Sequence, residues 1–479
     1  MRIVRLIARD ELRLMLRNRV ALIAFALIML LTLVAIASSW SHQRSIADLR
    51  ARHQHEAEHA FDAQPDRHPH RMVHYGHFIF RPPGPLAAFD PGVDAFTGNS
   101  MFLEGHRQNT ANFGDVRQSS LLLRFGQLTP AFVLQIIAPL LMIFLGFGAL
   151  ARETERGTLS LLMLQGASRG QVVAGKLLAL GLVAAAVAAP AILGLVAIAG
   201  QPGALALPML TIALGYLLYL GLWTVLIVFV STMVRRSRDS LLVLVALWAV
   251  TTILLPRAVP DVAANAVPLR NRLQTDVAIA RDLRRLGDSH NPDDPHFAQF
   301  KQRLLDRYKV TRVEDLPLNY KGLLAIEGER LTSGLFDRYA GESYTAQTRQ
   351  NGLVDASGLL SPAIALRGLS MAAAGTDFAA HRRFLEQAEA YRYALVQRLN
   401  RMEAEAVSYA DDTATDADAD RRKRVAATNW QAMPDFRFVA PDGSMLARAA
   451  LPGLALLAVW LAGASALLAL ATRRLGARR

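Results

Sequence analysis

Residues 177–234, LLALGLVAAAVAAPAILGLVAIAGQPGALALPMLTIALGYLLYLGLWTVLIVFVSTMV, decide the fold because they contain no charged side chain. One helix needs roughly 20 residues to cross a hydrocarbon core, so this run is too long for a single crossing. Gln201, Pro202 and Gly203 interrupt it with residues that favour turns. The sequence therefore predicts two antiparallel spans joined by a tight loop.

Four more apolar stretches of similar length lie on either side of this run. The first is longer than the apolar core of a secretion signal, so we expect it to remain as an anchor. The predicted spans are residues 20–40, 131–151, 177–200, 208–233, 240–256 and 449–472. We predict a mainly α, polytopic membrane protein with six transmembrane helices.

Four short basic clusters flank these spans, and all four lie on one side of the membrane if the chain crosses six times. They are formed by Arg2, Arg5, Arg9, Arg13, Arg17 and Arg19, by Arg152, Arg156, Arg169 and Lys176, by Arg235, Arg236 and Arg238, and by Arg473, Arg474, Arg478 and Arg479. Positive residues mark the cytoplasmic side, so both termini and the tail 473–479 are expected there. These clusters explain much of the net charge of +13, which therefore does not indicate nucleic-acid binding.

The same count predicts two extracytoplasmic insertions, residues 41–130 and 257–448. In the larger one, apolar residues at spacings of three and four predict helices at 271–286, 295–308 and 320–338. Another helix is expected to begin at Ser361-Pro362, and a long one to be capped by Asp377. We expect the larger insertion to be mostly helical, with residues 411–420 as a solvated loop. Because the chain has no cysteine, disulfides and thiolate metal sites are excluded.

The first 19 residues allow two interpretations. Arg2, Arg5, Arg9 and Arg13 would share one face of a helix, with apolar residues roughly opposite. Such a helix would lie in the cytoplasmic interface of the membrane. The segment is equally well explained as a basic flank of the first span.

The segment 151–176, ARETERGTLSLLMLQGASRGQVVAGK, predicts a short helix between two membrane helices. Thr158 can cap this short helix, and Gly166 can end it. Ser168 can then cap the helix that continues into the third span. A short helix with acids before it and a glycine after it indicates a docking surface, here a cytoplasmic coupling loop at residues 152–176.

This segment resembles the cytoplasmic loop of permease subunits in type 2 class ABC exporters. The family pattern is acid-x-acid-x-Gly-Thr followed by Ser-Arg and, seven residues after the Arg, Lys. The resemblance implies that this loop is a main contact with a separate ATPase subunit. The implied ATPase-coupling residues are Glu153, Glu155, Arg156, Gly157, Thr158, Ser168, Arg169 and Lys176.

Further motifs resemble one branch of these permeases, which carries two large extracytoplasmic insertions and is described as a domain of unknown function. They are His74-Tyr-Gly, Pro85-Leu-Ala, Asp90-Pro-Gly-Val-Asp94, Glu104-Gly-His-Arg-Gln-Asn109, Leu360-Ser-Pro362 and Ala374-Gly-Thr-Asp377. The resemblance implies a non-catalytic permease of the bacterial inner membrane, surrounded by lipid and paired with a second, identical or different permease subunit. It would couple ATP hydrolysis by the partner to movement of an unknown substrate.

Two patterns imitate other sites. Residues 170–176, GQVVAGK, fit the start of a phosphate-binding loop, but Leu177 stands where the magnesium-binding hydroxyl is needed. We therefore expect this chain to bind no cofactor and its partner ATPase to bind ATP and Mg²⁺. Ser370, Asp377 and His381 have the residue types of a hydrolase's catalytic site, but Asp377 is more simply explained as a helix cap. No enzymatic activity is expected.

Two other functions remain open. In one, the ATP-driven complex acts on an extracytoplasmic partner and carries no cargo across the membrane. In the other, the chain is an uncoupled membrane-anchored receptor or metal-binding protein, because nine of the twelve histidines fall between His42 and His106. Their spacing is irregular and favours surface histidines, so the sequence identifies no metal ligand.

Overall fold

A computed structural model describes residues 1–112, 127–199, 206–287, 291 and 293–475. The predicted turn at Gln201, Pro202 and Gly203 lies outside the described residues, as do Arg478 and Arg479. Of the smaller insertion, residues 113–126 are also outside them.

The described residues form helices and one pair of strands. The first part comprises α1 (Arg2–Arg17), α2 (Arg19–Asp62), α3 (Pro69–Tyr75), β1 (His77–Phe80), β2 (Ser100–Leu103), α4 (Pro130–Phe132, Val133–Ile137 and Ala138–Gly146), α5 (Ala151–Glu155) and α6 (Thr158–Leu164). The middle part comprises α7 (Arg169–Ala199), α8 (Ala206–Met233) and α9 (Ser237–Trp248, Ala249–Leu254 and Leu255–Ala266). The last part comprises α10 (Arg272–Leu286), α11 (Pro295–Tyr308), α12 (Tyr320–Ala356), α13 (Pro362–Ala374), α14 (Phe378–Ala406), α15 (Tyr409–Thr413), α16 (Ala419–Arg422), α17 (Thr428–Gln431) and α18 (Gly443–Arg474).

Within this described part, six helices are long and apolar enough to cross a membrane, as predicted. They are α2, α4 together with α5, α7, α8, α9 and α18. Helix α8 lies at the centre, with Tyr216, Tyr219 and Trp223 fully buried. Leu22 and Ile23 of α2 are exposed, as expected for side chains that face lipid.

Helix α13 of the larger insertion packs against the membrane helices α8 and α18. Glycines permit this close approach. A Cβ atom at Gly215 would lie 2.8 Å from the side chain of Leu369, and one at Gly453 would lie 2.6 Å from the carbonyl oxygen of Ala365. The larger insertion is therefore packed directly onto the membrane bundle.

The two insertions also pack against each other. Strands β1 and β2 pair antiparallel, with Ile79 opposite Met101. Both residues belong to one buried apolar cluster with Phe384 of α14. A second cluster places Met72 of α3 beside Trp430, which is fully buried. Residues far apart in the chain thus build one joint unit from the described residues of the two insertions, 41–130 and 257–448, called the outer unit below.

Most helices predicted in the larger insertion are confirmed, and α12 is longer than predicted because it continues to Ala356. Ser361 and Asp377 cap α13 and α14 as predicted, accepting hydrogen bonds from the backbone N–H groups of Ile364 and Ala380. The solvated loop expected at 411–420 is wrong in two respects, the first being that its two ends belong to α15 and α16. Second, Asp412 is buried, because His68, Asn319 and Lys321 from distant segments all contact it.

Candidate functional site

The 151–176 segment forms two short helices, α5 and α6, followed by the start of α7. Gly157 separates α5 from α6 with a φ of +73°, and Gly166 follows α6 with a φ of +90°. Both values lie in the left-handed region, which glycine enters without a steric penalty. The two glycines therefore fix the direction in which α6 leaves the membrane helices.

The prediction that Thr158 caps α6 is wrong. Gly157 occupies the capping position, and Thr158 is the first residue of the helix. The Thr158 hydroxyl instead donates a hydrogen bond back to the carboxylate of Glu153. The prediction for Ser168 is confirmed, because its Oγ accepts a hydrogen bond of 3.2 Å from the N–H of Gln171.

Lys176 connects three separate elements. Its Nζ lies 2.6 Å from Oε2 of Glu11 in α1 and 3.0 Å from Oε1 of Glu153 in α5. Lys176 itself belongs to α7, and its side chain is only 5% exposed. A buried ammonium needs such carboxylate partners to offset the loss of hydration. The charge therefore holds α1, α5 and α7 together.

The same contact helps to define the N-terminal segment. Helix α1 packs along α7, with Ala8 buried and Ile7 against Gly175. Residues 2–17 are thus helical, as the amphipathic interpretation requires. Its position in the membrane interface stays a prediction.

Glu155 contacts a different membrane helix from Glu153. Its Oε2 accepts hydrogen bonds from the backbone N–H and the hydroxyl of Ser237, at 3.0 and 2.9 Å. Ser237 is the first residue of α9. On the other side of the loop, Arg169 donates a hydrogen bond of 3.0 Å to the carbonyl of Arg473 at the end of α18. The loop is therefore attached to α9 and α18 as well.

Helix α6 presents apolar side chains to its surroundings. Leu161 is 57% exposed and Leu164 is 84% exposed. The preceding Arg156 and Gly157 are exposed too, whereas Leu159 is buried against the bundle. Leucines exposed to this degree beside charged residues are typical of a surface that binds another protein.

The structure brings together only some of the eight predicted coupling residues. Glu153, Thr158 and Lys176 are in contact, while Glu155 and Arg169 contact other helices and Ser168 caps α7. Sequence reasoning missed Glu11 and Ser237. The one available signal was that Glu11 lies one turn after Ile7, on the apolar side of a basic helix.

The pattern GQVVAGK is not a phosphate-binding loop. Its residues lie within helix α7, and Lys176 is occupied by the two carboxylates. The hydrolase pattern is not assembled either, because the hydroxyl of Ser370 lies 3.1 Å from that of Tyr216 and Asp377 caps α14.

A polar network joins the outer unit to the membrane helices. The Tyr216 hydroxyl of α8 accepts a hydrogen bond of 2.8 Å from Gln135 of α4 and lies 3.1 Å from Ser370 of α13. Thr376, just after α13, donates a hydrogen bond of 3.0 Å to the carbonyl of Asp90 in the smaller insertion. Both insertions are thus linked to two central membrane helices.

Comparison with known proteins gives two family matches. Residues 5–285 match the model of the ABC-2 family transporter protein. Residues 272–439 match a domain of unknown function, DUF3526. No curated protein matches the chain. Since the transporter model covers more than half of the chain and the structure is that of a mainly α, multi-pass membrane protein, this protein belongs to the ABC-2 transporter family, as a permease subunit of an ABC system with an additional C-terminal domain.

Proposed function

We propose that the chain is the transmembrane subunit of an exporter driven by a separate ATPase, and that α6 and its flanking residues contact that ATPase. The partner binds ATP and Mg²⁺, and this chain contributes no catalytic group. Two permease subunits, identical or different, surround the transport path. The protein resides in a bacterial inner membrane, with both termini and the 152–176 loop in the cytoplasm.

The observation that supports this proposal is the exposed apolar face of α6, next to residues that contact other helices. Leu161 and Leu164 are available to a partner, while Glu153 and Glu155 attach the neighbouring residues to three other helices. A docking element must be both accessible and mechanically connected to transmit motion. Family membership implies an ABC ATPase as the partner.

The contacts define how motion would pass into the membrane. A displacement of α6 pulls on α5 and reaches α1 and α7 through Lys176. The same displacement reaches α9 through Glu155 and Ser237. Packed helices change between discrete arrangements, so nucleotide-dependent closure of the ATPases would shift the bundle between two states.

The test is retention of the ATPase by charged variants of α6. Leu161→Asp and Leu164→Asp change exposed side chains, so the fold is kept while an apolar contact is lost. We expect co-purification of the ATPase with the full chain from native membranes to fall by about tenfold or more. Leu353→Asp on α12, 45% exposed and far along the chain, is the matched control. If both α6 variants co-purify with as much ATPase as the wild type, the proposal is contradicted.

Two further variants, at Glu155 and Gly157, test coupling to the ATPase separately from docking. Glu155→Lys repels the basic residues near Ser237, and Gly157→Trp forces a large side chain onto a backbone with positive φ. Both variants are expected to lower the ATPase activity that the partner shows when it is assembled with this chain in proteoliposomes. Unchanged ATPase activity of the assembled complex in both variants would mean that the loop does not transmit motion.

A second candidate function is transmission of force to an extracytoplasmic protein or lipid without transported cargo. The network of Gln135, Tyr216, Ser370, Thr376 and Asp90 favours it, because it connects the outer unit to α4 and α8. The chain lacks cysteine, so a single Val439→Cys label reports on the outer unit without background. An ATP-dependent change in its labelling rate that Tyr216→Phe abolishes would support force transmission. An ATP-independent labelling rate would exclude it.

A further inference from the structure

Three histidines from the smaller insertion come together in the outer unit. His70, His74 and His106 each offer a ring nitrogen, and these nitrogens lie within 4.8 Å of one another. His70 and His74 are one turn apart on α3, and their Nε2 atoms are 3.1 Å apart. Histidines at positions i and i+4 of a helix are a common pair of zinc ligands. The irregular spacing of the histidines in the sequence concealed this arrangement.

His106 reaches the pair from a separate segment, three residues after β2. Its φ of +61° places it in the left-handed region, where a non-glycine residue is strained by about 1 kcal/mol or more. The surrounding structure holds this conformation, because the His106 backbone N–H donates a hydrogen bond of 3.0 Å to Oε2 of Glu329. The strained backbone thus fixes the third imidazole beside the other two.

Buried carboxylates lie behind two of the three rings. Oε2 of Glu329 is 3.4 Å from Nδ1 of His106, and Oε2 of Glu403 is 3.8 Å from Nδ1 of His70. Carboxylates in this position orient metal-binding histidines and increase the basicity of the opposite ring nitrogen. The side chains of Glu329 and Glu403 are 0% and 5% exposed, so both rings are backed by carboxyl groups that are shielded from water.

Glu403 is a buried side chain with an oxygen that lacks a partner: its Oε2 has no hydrogen-bond partner among the described residues. A cation bound to the neighbouring imidazoles would interact favourably with this buried oxygen.

We infer that His70, His74 and His106 bind one divalent transition-metal ion, with Zn²⁺ as the class of ion that three imidazoles suit best. Zn–N bonds of about 2.0–2.1 Å in a tetrahedron put the nitrogens roughly 3.4 Å apart, close to the separation of His70 and His74. Three protein ligands leave a fourth position for water or an external ligand. His74 is exposed, so that position is open to solvent.

The neighbouring His68 does not belong to the ligand set. Its Nδ1 accepts a hydrogen bond of 3.1 Å from the backbone N–H of His70, and its Nε2 lies 3.0 Å from Oδ1 of Asp412. Both ring nitrogens are therefore used in holding the start of α3 against the larger insertion. A metal bound to the three histidines would strengthen the same contact, because the two carboxyl groups behind the rings, Glu329 and Glu403, belong to α12 and α14 of the larger insertion.

The test is a titration of the full chain in detergent, purified without a polyhistidine tag and stripped with a chelator. Co²⁺ serves as the probe because it absorbs visible light when its ligands are tetrahedral, and Zn²⁺ then competes for the same site. We expect one equivalent per chain in the wild type and in His55→Ala, an exposed histidine of α2. His74→Ala and His106→Ala are expected to lose that equivalent and its absorption.

Further variants keep the test decisive if a ligand variant folds poorly. Glu403→Gln retains the shape of the side chain and all three ligands, and is expected to weaken binding about 10–100-fold. Circular dichroism and size-exclusion chromatography report the folding of each variant. The inference is overturned if the folded wild type gives no tetrahedral Co²⁺ absorption, or if folded His74→Ala and His106→Ala bind like His55→Ala.

Discussion

Two buried cations, Lys176 and Arg392, each lie between two carboxylates, but at different regions of the molecule. Lys176, the last residue of the 151–176 loop, contacts Glu11 of α1 and Glu153 of the same loop at 2.6 and 3.0 Å. Arg392 of α14 joins Glu329 and Glu389 in the outer unit, both at 2.6 Å. The two centres share a charge pattern and differ in how tightly their surroundings constrain them.

The Arg392 guanidinium is held from several directions. It also donates hydrogen bonds of 2.7 Å to Ser333 and 3.1 Å to the carbonyl of Glu104. Although burial opposes ionisation, the hydrogen bond from His106 and the charge of Arg392 lower the pKa of Glu329 to about 2. A planar guanidinium with five donors favours such a fixed arrangement. This centre suits a permanent connection between the two insertions.

The Lys176 ammonium is less constrained. It is a compact charge on a flexible stem, and the side chain of Glu153 is 21% exposed. One carboxylate can therefore move away while the other keeps the charge neutralised. The difference indicates a rigid outer unit and a loop that can be rearranged, which is what the proposed coupling to an ATPase requires.

Removing the outer cation should give the largest effect. Arg392→Met leaves Glu329 and Glu389 buried without a counter-charge, which costs about 3–5 kcal/mol in the free energy of unfolding. Denaturant unfolding of the full chain in mild detergent measures this cost. Arg382→Met on the same helix is the control, because the side chains of Arg382 and its partner Glu386 are 41% and 49% exposed and a surface pair contributes about 0–1 kcal/mol. Equal losses for the two variants would remove the distinction between buried and exposed pairs.

Acid should weaken the outer unit before it affects the loop. Burial beside Phe61 lowers the pKa of His77 to about 4, against about 6.5 for a histidine in an unfolded chain. The unfolded state therefore binds an extra proton between these values, and stability falls by up to about 3 kcal/mol as the pH drops from 6.5 to 4. The sequence contains no histidine from residue 107 to residue 289, so the loop lacks this source of acid sensitivity.

The measurement is the free energy of unfolding at pH 7 and pH 4.5, compared between the wild type and His77→Phe. The difference between the two proteins isolates His77 from the other titrating groups. We expect the variant to lose less stability on acidification than the wild type. An identical pH dependence would show that the His77 environment accepts a proton.

The sequence predicted the parts of this comparison that depend on local patterns. Apolar length gave the six membrane helices, and capping side chains gave the starts of α7, α13 and α14. Such features follow from a few consecutive residues. The cap expected at Thr158 failed because a neighbouring glycine with positive φ took the capping position.

The two charge centres were not predictable, because their partners are far apart in the chain. Arg392 and Glu329 are separated by 63 residues, and Lys176 and Glu11 by 165. On α14 the spacing puts Arg392 on the apolar face, four residues after Ala388 and three before Leu395, but it does not indicate which carboxylates the arginine meets. Likewise, nothing in the sequence relates His106 to His74, and the pairing of β2 with β1 brings the two residues together. Only tertiary packing distinguishes these residues from surface charges.

Removing the loop cation should cost less than removing Arg392. Lys176→Met leaves Glu11 and Glu153 without their counter-charge, but Glu153 retains contact with water, so we expect a loss of about 2 kcal/mol. Helix α1 should separate more readily from α7 and unfold locally, so that trypsin cleaves faster after Arg9 and Arg13, whose side chains are already exposed. Arg238→Met, an exposed residue 3.5 Å from Asp239, is the control. If α1 is cleaved at the wild-type rate in Lys176→Met, the charge does not hold it.

The smallest effect is expected from the backbone of the loop. Gly157 has a φ of +73°, and a Cβ atom there would meet nothing within 4 Å, so Gly157→Ala tests conformational strain without a clash. The cost should be about 1 kcal/mol. Gly170→Ala is the matched control, because Gly170 also has open space but lies in the first turn of α7, where alanine is neutral or slightly stabilising. If coupling requires a fixed direction of α6, Gly157→Ala should lower coupled ATPase activity by more than its loss of stability can explain. If both variants behave alike, the positive φ has no part in the coupling, and the loop can be rearranged without glycine at this position.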